Sequence, residues 1–145
     1  MNIEVKLVKE AQALDINRYV VGAIVLRDSK ILLLERAKDD FMGGIYELPS
    51  GKVEKGETLT VALAREVKEE TGLLLAQIRR YVGHFDYESK SGKKTRQFNF
   101  LVTVQEPLEI RLQEHSDYAW ADTHQLDKYP VTESVKQIID LSRKS

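Results

Sequence analysis

Hydrophobic positions along the chain switch between two periods, and the switches mark out its elements. Residues 2–9, NIEVKLVK, alternate loosely and predict an outer strand, followed by a connector over 11–17. Residues 18–26, RYVVGAIVL, are almost continuously aliphatic, as expected of a central strand covered on both faces. Asp28 and Ser29 make a turn, and residues 30–35 return as the second arm of a hairpin. A charged loop over 36–42 ends at Gly43 and Gly44, and 45–48 form a short strand closed by Pro49. Further on, 77–87 and 96–105 read as two strands joined by a polar turn over 89–94. In the second of these, Phe98, Phe100, Val102 and Val104 alternate with Gln97, Asn99, Leu101 and Thr103. One face is therefore core and the other is mixed, suited to a cleft. Pro107 breaks the pattern, and 117–121, DYAWA, give another short strand. Thr132 caps a last helix in which Val131, Val135, Ile138 and Ile139 keep helical spacing.

Between these strands the period changes to that of an amphipathic helix. Leu59, Ala62, Leu63 and Val67 form its apolar stripe, Thr58 suits the N-cap, and Gly72 suits the left-handed C-terminal position. Gly51 and Gly56 let the preceding loop turn tightly. Glu66, Glu69 and Glu70 stand at i, i+3 and i+4, so three carboxylates share one face and repel one another. A Glu-rich helix face is often merely solvated, but a hard divalent cation such as Mg²⁺ or Mn²⁺ would remove this repulsion through oxygen ligands.

The segment 51–73, GKVEKGETLTVALAREVKEETGL, carries more than that face. It resembles the Nudix box, Gly-x5-Glu-x7-Arg-Glu-U-x-Glu-Glu-x-Gly-U with U aliphatic, and matches all nine specified positions over 23 residues. The resemblance implies an α/β/α sandwich, a mixed central sheet flanked by helices, which the order of strands and helices independently suggests. It also implies hydrolysis of a diphosphate linkage in a nucleoside diphosphate derivative, with Mg²⁺ or Mn²⁺ as cofactor. Carried over position by position, Glu66, Glu69 and Glu70 correspond to metal ligands, with the Ser50 carbonyl as a further oxygen. Many relatives have glycine where Ser50 stands. Glu57 and Arg65 resemble the pair that fixes the loop against the helix. The catalytic base varies among relatives. Either a box glutamate or an acidic residue on a later loop serves, and Glu114, His115 and Asp117 fall on that loop, Glu114 being the best match.

Composition narrows the classes. Forty-two per cent hydrophobic and 31% charged residues in 145 are ordinary for one domain spanning 1–145. A net charge of −1 offers no field for a nucleic acid polymer, and the absence of cysteine excludes disulfides, thiolate metal sites and a thiol nucleophile. No stretch is apolar for long enough to span a bilayer, and no leader is recognisable, which points to a cytoplasmic protein.

Substrate contacts must come from outside the box. Arg36 and Lys38 can hold a phosphate; Phe41, Tyr87 and Trp120 can stack on a base; Arg96, Gln97 and Asn99 can present hydrogen-bonding groups. Each type is also common as core or charged surface. His84 and His124 read as structural or surface residues. Tyr87 lies 14 residues beyond the box, near where dinucleoside-polyphosphate hydrolases tend to carry a tyrosine. ADP-ribose hydrolases tend to have a proline in this region, and none stands between Pro49 and Pro107. These marks slightly disfavour ADP-ribose and do not choose between nucleoside triphosphates and dinucleoside polyphosphates. The leading expectation is a pyrophosphohydrolase of a (d)NTP-type or oxidised purine nucleotide. The alternatives are a dinucleoside polyphosphate hydrolase and a non-catalytic nucleotide-sensing module. A homodimer could form through the first strand or the apolar face of the last helix.

Overall fold

The computed structural model describes residues 3–40 and 42–144. Its elements are α1 (Ile3–Ala13), β1 (Arg18–Arg27), β2 (Lys30–Glu35), β3 (Tyr46–Glu47), β4 (Ser50–Lys52), α2 (Leu59–Thr71), β5 (Leu75–Glu88), β6 (Lys94–Val104), β7 (Asp117–Asp122) and α3 (Glu133–Ser142). β1 is the hub. It runs parallel to β6 and antiparallel to β2 and β4, β5 lies outside β6, and β3 and β7 flank β2, giving a mixed seven-stranded sheet.

The uninterrupted aliphatic run of β1 is explained by burial on two faces. Val21, Ala23 and Val25 pack with Leu7 and Ala11 of α1 and with Leu59, Ala62, Leu63 and Val67 of α2. Ile24 points the other way, into a second core with Leu33, Val135, Ile138 and Ile139. The sheet therefore lies between α1 and α2 on one face and α3 on the other, the expected sandwich.

One element differs from expectation. Residues 3–9 belong to helix α1, not to an outer strand. Leu7 and Ala11 are one helical turn apart and both buried, whereas Ile3 and Val5, which an alternating reading would place on Leu7's face, are about half exposed. The loose alternation was short enough to fit either period. Asn2 lies outside the described residues.

Helix α2 is secured at both ends. Thr58 accepts a hydrogen bond from the Val61 amide (3.2 Å), and Gly72 closes the helix at φ 77°. Glu4 of α1 also accepts from the Thr60 amide (2.6 Å), placing a carboxylate at the positive end of the α2 dipole. The Arg111 amide bonds the Thr71 carbonyl (2.8 Å) at the other end. A fully buried aliphatic side chain stabilises by about 1.5–3 kcal/mol, against about 0.2–0.5 kcal/mol lost per like-charge pair on a helix face. The apolar stripe therefore holds the glutamates close together.

A polar pair is buried in the sheet itself. On β6, Gln97 Nε2 donates to Asn99 Oδ1 (2.8 Å), and Asn99 Nδ2 donates to the carbonyls of Gln97 (3.2 Å) and Gly83 (3.3 Å). Gly22 of β1 faces this pair, and a Cβ there would collide with both amide groups. Gly22→Ala is expected to destabilise the fold by about 1–3 kcal/mol, because the two side-chain amides must move aside and their buried hydrogen bond is disturbed. Chemical denaturation of wild type and variant checks this.

Candidate active site

The site is assembled where β3 and β4 pass the carboxylate face of α2. Gly51, in β4, lies directly beneath the Glu66 carboxylate, and any Cβ at this position would overlap it. The glycine is needed here for space and not for its backbone angle.

Arg65 organises the charges. Its Nε and Nη2 grip the two oxygens of Glu57 (2.6 and 2.8 Å), Nη2 also reaches the Lys52 carbonyl (3.0 Å), and Nη1 binds Glu66 (2.7 Å) and Glu69 (3.3 Å). The guanidinium fork thus ties loop, strand and helix together. Its hydrogen bonds hold the Glu57 carboxyl down at about 2. Burial raises Glu66 above the ordinary carboxyl range, although Arg65 opposes the shift.

Glu70 has no such partner. Its Oε1 accepts from the Ser50 amide (2.7 Å), and burial pushes its carboxyl up to about 8. Its Oε2 lies 3.9 Å from His115 Nδ1. His115 Nε2 donates to Glu47 Oε2 (2.8 Å), and Arg36 Nε donates to Glu47 Oε1 (2.9 Å). Burial disfavours a charged His115, but the bond to Glu47 and the charges of Glu70 and Glu47 outweigh it and raise its pKa. The three box glutamates are thus divided, with Glu66 and Glu69 turned to Arg65 and Glu70 to Ser50 and His115. Among the described residues, no three acidic or histidine side chains are gathered as a finished metal cage.

A cavity of about 630 Å³ opens beside Glu47 and Ser50, with Arg18, Arg36, Tyr87 and Gln97 also in its wall. Phe85 and Tyr87 supply neighbouring rings, with centroids 6.2 Å apart. The cavity therefore collects Ser50, Arg36, Tyr87 and Gln97 from the residues singled out in the sequence. It does not collect Arg96, Trp120 or Glu114. Arg96 is 4% exposed and pairs with Asp86 through two hydrogen bonds (2.8 and 2.9 Å) on the opposite face of β6. Trp120 packs against the first core, with Arg27 5.9 Å from its ring. Glu114 is exposed, and its neighbour His115 is the loop residue that turns toward Glu70.

The other candidates divide in the same way. Lys38 is exposed and outside the cavity lining, Asn99 is buried beside Gln97, and Phe41 lies outside the described residues. Asp117 is exposed on β7, pairing in register with Glu35 of β2. His84 contacts the Tyr81 hydroxyl (3.3 Å) and His124 contacts Arg143 (2.9 Å), both on the surface. The Ser50 contact to Glu70 is made by its amide. Residues the sequence did not single out are Glu47 and Arg18. Glu47 is one polar position in a two-residue strand, and no periodicity distinguishes it. The Arg18 guanidinium bonds Thr95 Oγ1 (3.1 Å) at the cavity edge.

Comparison with known proteins agrees with this geometry. The NUDIX domain model matches residues 16–141. The chain is 33% identical over 132 residues to "Putative 8-oxo-dGTP diphosphatase 2" of Mycobacterium tuberculosis, covering 88% of this chain and 90% of that protein. It is 33% identical over 112 residues to the CTP pyrophosphohydrolase of Escherichia coli, covering 77% and 81%. The crystal structure of the MutT NUDIX hydrolase from Burkholderia pseudomallei superposes with a TM-score of 0.74 at 26% identity, covering 86% of this chain and 96% of that one. Together with these matches, a mixed sheet between helices, with the carboxylate-bearing helix joined to the cavity wall through the Ser50–Glu70 hydrogen bond, identifies a hydrolase of the pyrophosphate class. The chain belongs to the Nudix family, whose members are typically dependent on a divalent metal.

The Glu57–Arg65 pair has a measurable pH signature. The Glu57 carboxyl lies lower in the folded protein than its ordinary value of 4.5, so its stabilisation is present above that value and disappears as pH falls toward about 2. The melting temperature of wild type should exceed that of Glu57→Gln at neutral pH. Thermal melts across this acid range should show the difference shrinking.

Proposed function

We propose that the chain is a Mg²⁺- or Mn²⁺-dependent pyrophosphohydrolase of nucleoside triphosphates, with oxidised purine deoxynucleotides as its preferred class. The observation that carries this reading is the junction of Glu70 with the cavity wall. Ser50 both lines the cavity and bonds Glu70, so a nucleoside in the cavity would extend its phosphates over α2. The 8-oxo-dGTP and CTP activities in the names of the two relatives support a nucleoside triphosphate substrate.

The residues fit a hard divalent ion. Glu66, Glu69 and Glu70 offer only oxygen, and the buried Glu70 carboxyl stands to gain from a neighbouring cation. The Ser50 carbonyl is the further donor in this reading. When bound, such an ion supplies phosphate neutralisation and activation of the attacking water. Arg65 and Glu57 hold the helix and loop in register. Arg36, with its guanidinium at the cavity, meets phosphate charge, while Tyr87 and Gln97 receive the base. Arg96, Trp120 and Glu114 act from outside this contact set. Glu70, bonded to the cavity-lining Ser50, can take a proton from water in its ionised form, which a neighbouring cation would favour over the neutral form that burial prefers.

Tyr87 in the cavity wall also favours a second reading, hydrolysis of a dinucleoside polyphosphate, whose second nucleoside would need a stacking surface at the mouth. One assay decides between them. Purified protein with Mg²⁺ or Mn²⁺ is offered 8-oxo-dGTP, dGTP, CTP and diadenosine tetraphosphate, with release of pyrophosphate and nucleotides followed. Pyrophosphate release highest with 8-oxo-dGTP is expected. Cleavage confined to diadenosine tetraphosphate would transfer the assignment to the second reading, and nucleotide binding without cleavage of any compound would refute hydrolysis.

Glu70→Gln tests the assigned site. Burial already disfavours the charge, so a neutral isostere should leave the metal-free melting temperature at or above that of wild type. Turnover with Mg²⁺ should fall about 100-fold or more, in line with the loss of an essential charge-stabilising group. Stopped or coupled pyrophosphate assays on both proteins give the ratio.

A further inference from the structure

His115 is the unusual residue of the site. Its side chain is 7% exposed, Nε2 is spent on Glu47, and Nδ1 is the one buried side-chain polar atom among the described residues that lacks a hydrogen-bond partner. An unpartnered buried nitrogen costs free energy, so its placement needs a reason. The atom that faces it is Glu70 Oε2, at 3.9 Å.

The chain takes trouble to hold the ring there. Ser116, the next residue, donates its amide to the Glu35 carbonyl (3.0 Å) and its hydroxyl to the Glu35 carboxylate (3.0 Å). β7 then pairs along the whole of β2, from Glu35–Asp117 to Lys30–Asp122. On the far side of the ring, Glu47 is itself held by Arg36, and both line the cavity. Nε2 is occupied, and the one open nitrogen, Nδ1, is buried, faces Glu70 and lies outside the cavity lining. Its remaining freedom is to act on Glu70.

We propose that His115 is a positioning residue for Glu70: anchored through Glu47 to the cavity wall, it limits where the Glu70 Oε2 can point and so prepares that carboxylate to bind the divalent ion. The inference rests on the metal-dependent reading above and adds to it a residue outside the Nudix box. It also makes Arg36 and Glu47 the link between cavity and helix. A phosphate that draws Arg36 from Glu47 would be felt at Glu70 through one imidazole.

Two variants separate positioning from simple bracing of the loop. His115→Gln places an amide nitrogen where Nε2 stands and keeps a donor for Glu47, but has no atom in the place of Nδ1. His115→Ala removes both. Mn²⁺ binding to the protein alone is followed by electron paramagnetic resonance of free Mn²⁺, alongside thermal melts and steady-state kinetics. The Gln variant should melt close to wild type yet bind Mn²⁺ about 10-fold more weakly, as other supporting groups around metal sites do on mutation. Its kcat should fall in parallel, with KM little changed. The Ala variant should lose metal affinity at least as strongly; if it fails to fold, the Gln variant alone carries the comparison. Wild-type Mn²⁺ affinity and kcat in the Gln variant would overturn the proposal and leave His115 as a loop anchor. A wild-type protein that binds no Mn²⁺ would instead refute the metal reading itself, and this inference with it.

Discussion

The arrangement depends first on one guanidinium. Arg65 hydrogen-bonds four groups from three stretches of chain: Glu57 in the loop, the Lys52 carbonyl in β4, and Glu66 and Glu69 on its own helix. It also pairs with Glu54 at 3.9 Å. A lysine could not replace it, because a point charge with freely turning donors does not fix a plane. The planar fork sets the orientation of the loop and absorbs the repulsion between two of the three box carboxylates. Gly51 can then lie flat under Glu66, and β4 can come close enough for the Ser50 amide to reach Glu70. Without Arg65, the burial of Leu59, Leu63 and Val67 would still hold the helix, but the carboxylates would have no reason to keep their present directions.

Much of the fold was readable in the sequence. β1 and β2 were visible because residues buried on two faces leave an unbroken aliphatic run, and α2 because its stripe, Thr58 and Gly72 agree with one another. α1 was not, because a short segment with Ile3, Val5 and Leu7 fits a two-residue period as well as a helical one. Only packing of Leu7 and Ala11 against the sheet decides it. The chain's membership of the Nudix family lay in the local spacing of the box, where the chemistry is written in consecutive turns of one helix.

The cavity was legible only in pieces. Arg36, Tyr87 and Gln97 carry no mutual spacing, since they come from separate strands and loops, and their meeting is a property of the sheet order. Arg96 looked as suitable as Gln97, yet adjacent positions on a strand face opposite ways, and Arg96 is taken by Asp86. Glu47 gave no signal at all. The later loop offered Glu114, His115 and Asp117 with Glu114 as the best match, and of the three it is His115 whose ring faces Glu70. A single step along an irregular loop cannot be resolved from composition.

The Glu4 contact to the Thr60 amide has a consequence for how such a scaffold can diversify. The helix bearing the acidic face is clamped from behind by α1, on the side of the sheet away from α3, while the cavity wall draws on β3, β5, β6 and the start of α3. The two sets of residues overlap only around Ser50 and Glu47. Substitutions at rim positions away from Ser50, Arg36 and Glu47 can therefore accumulate without disturbing the registration of α2. The clamp turns one helix into a fixed datum around which selectivity is free to vary.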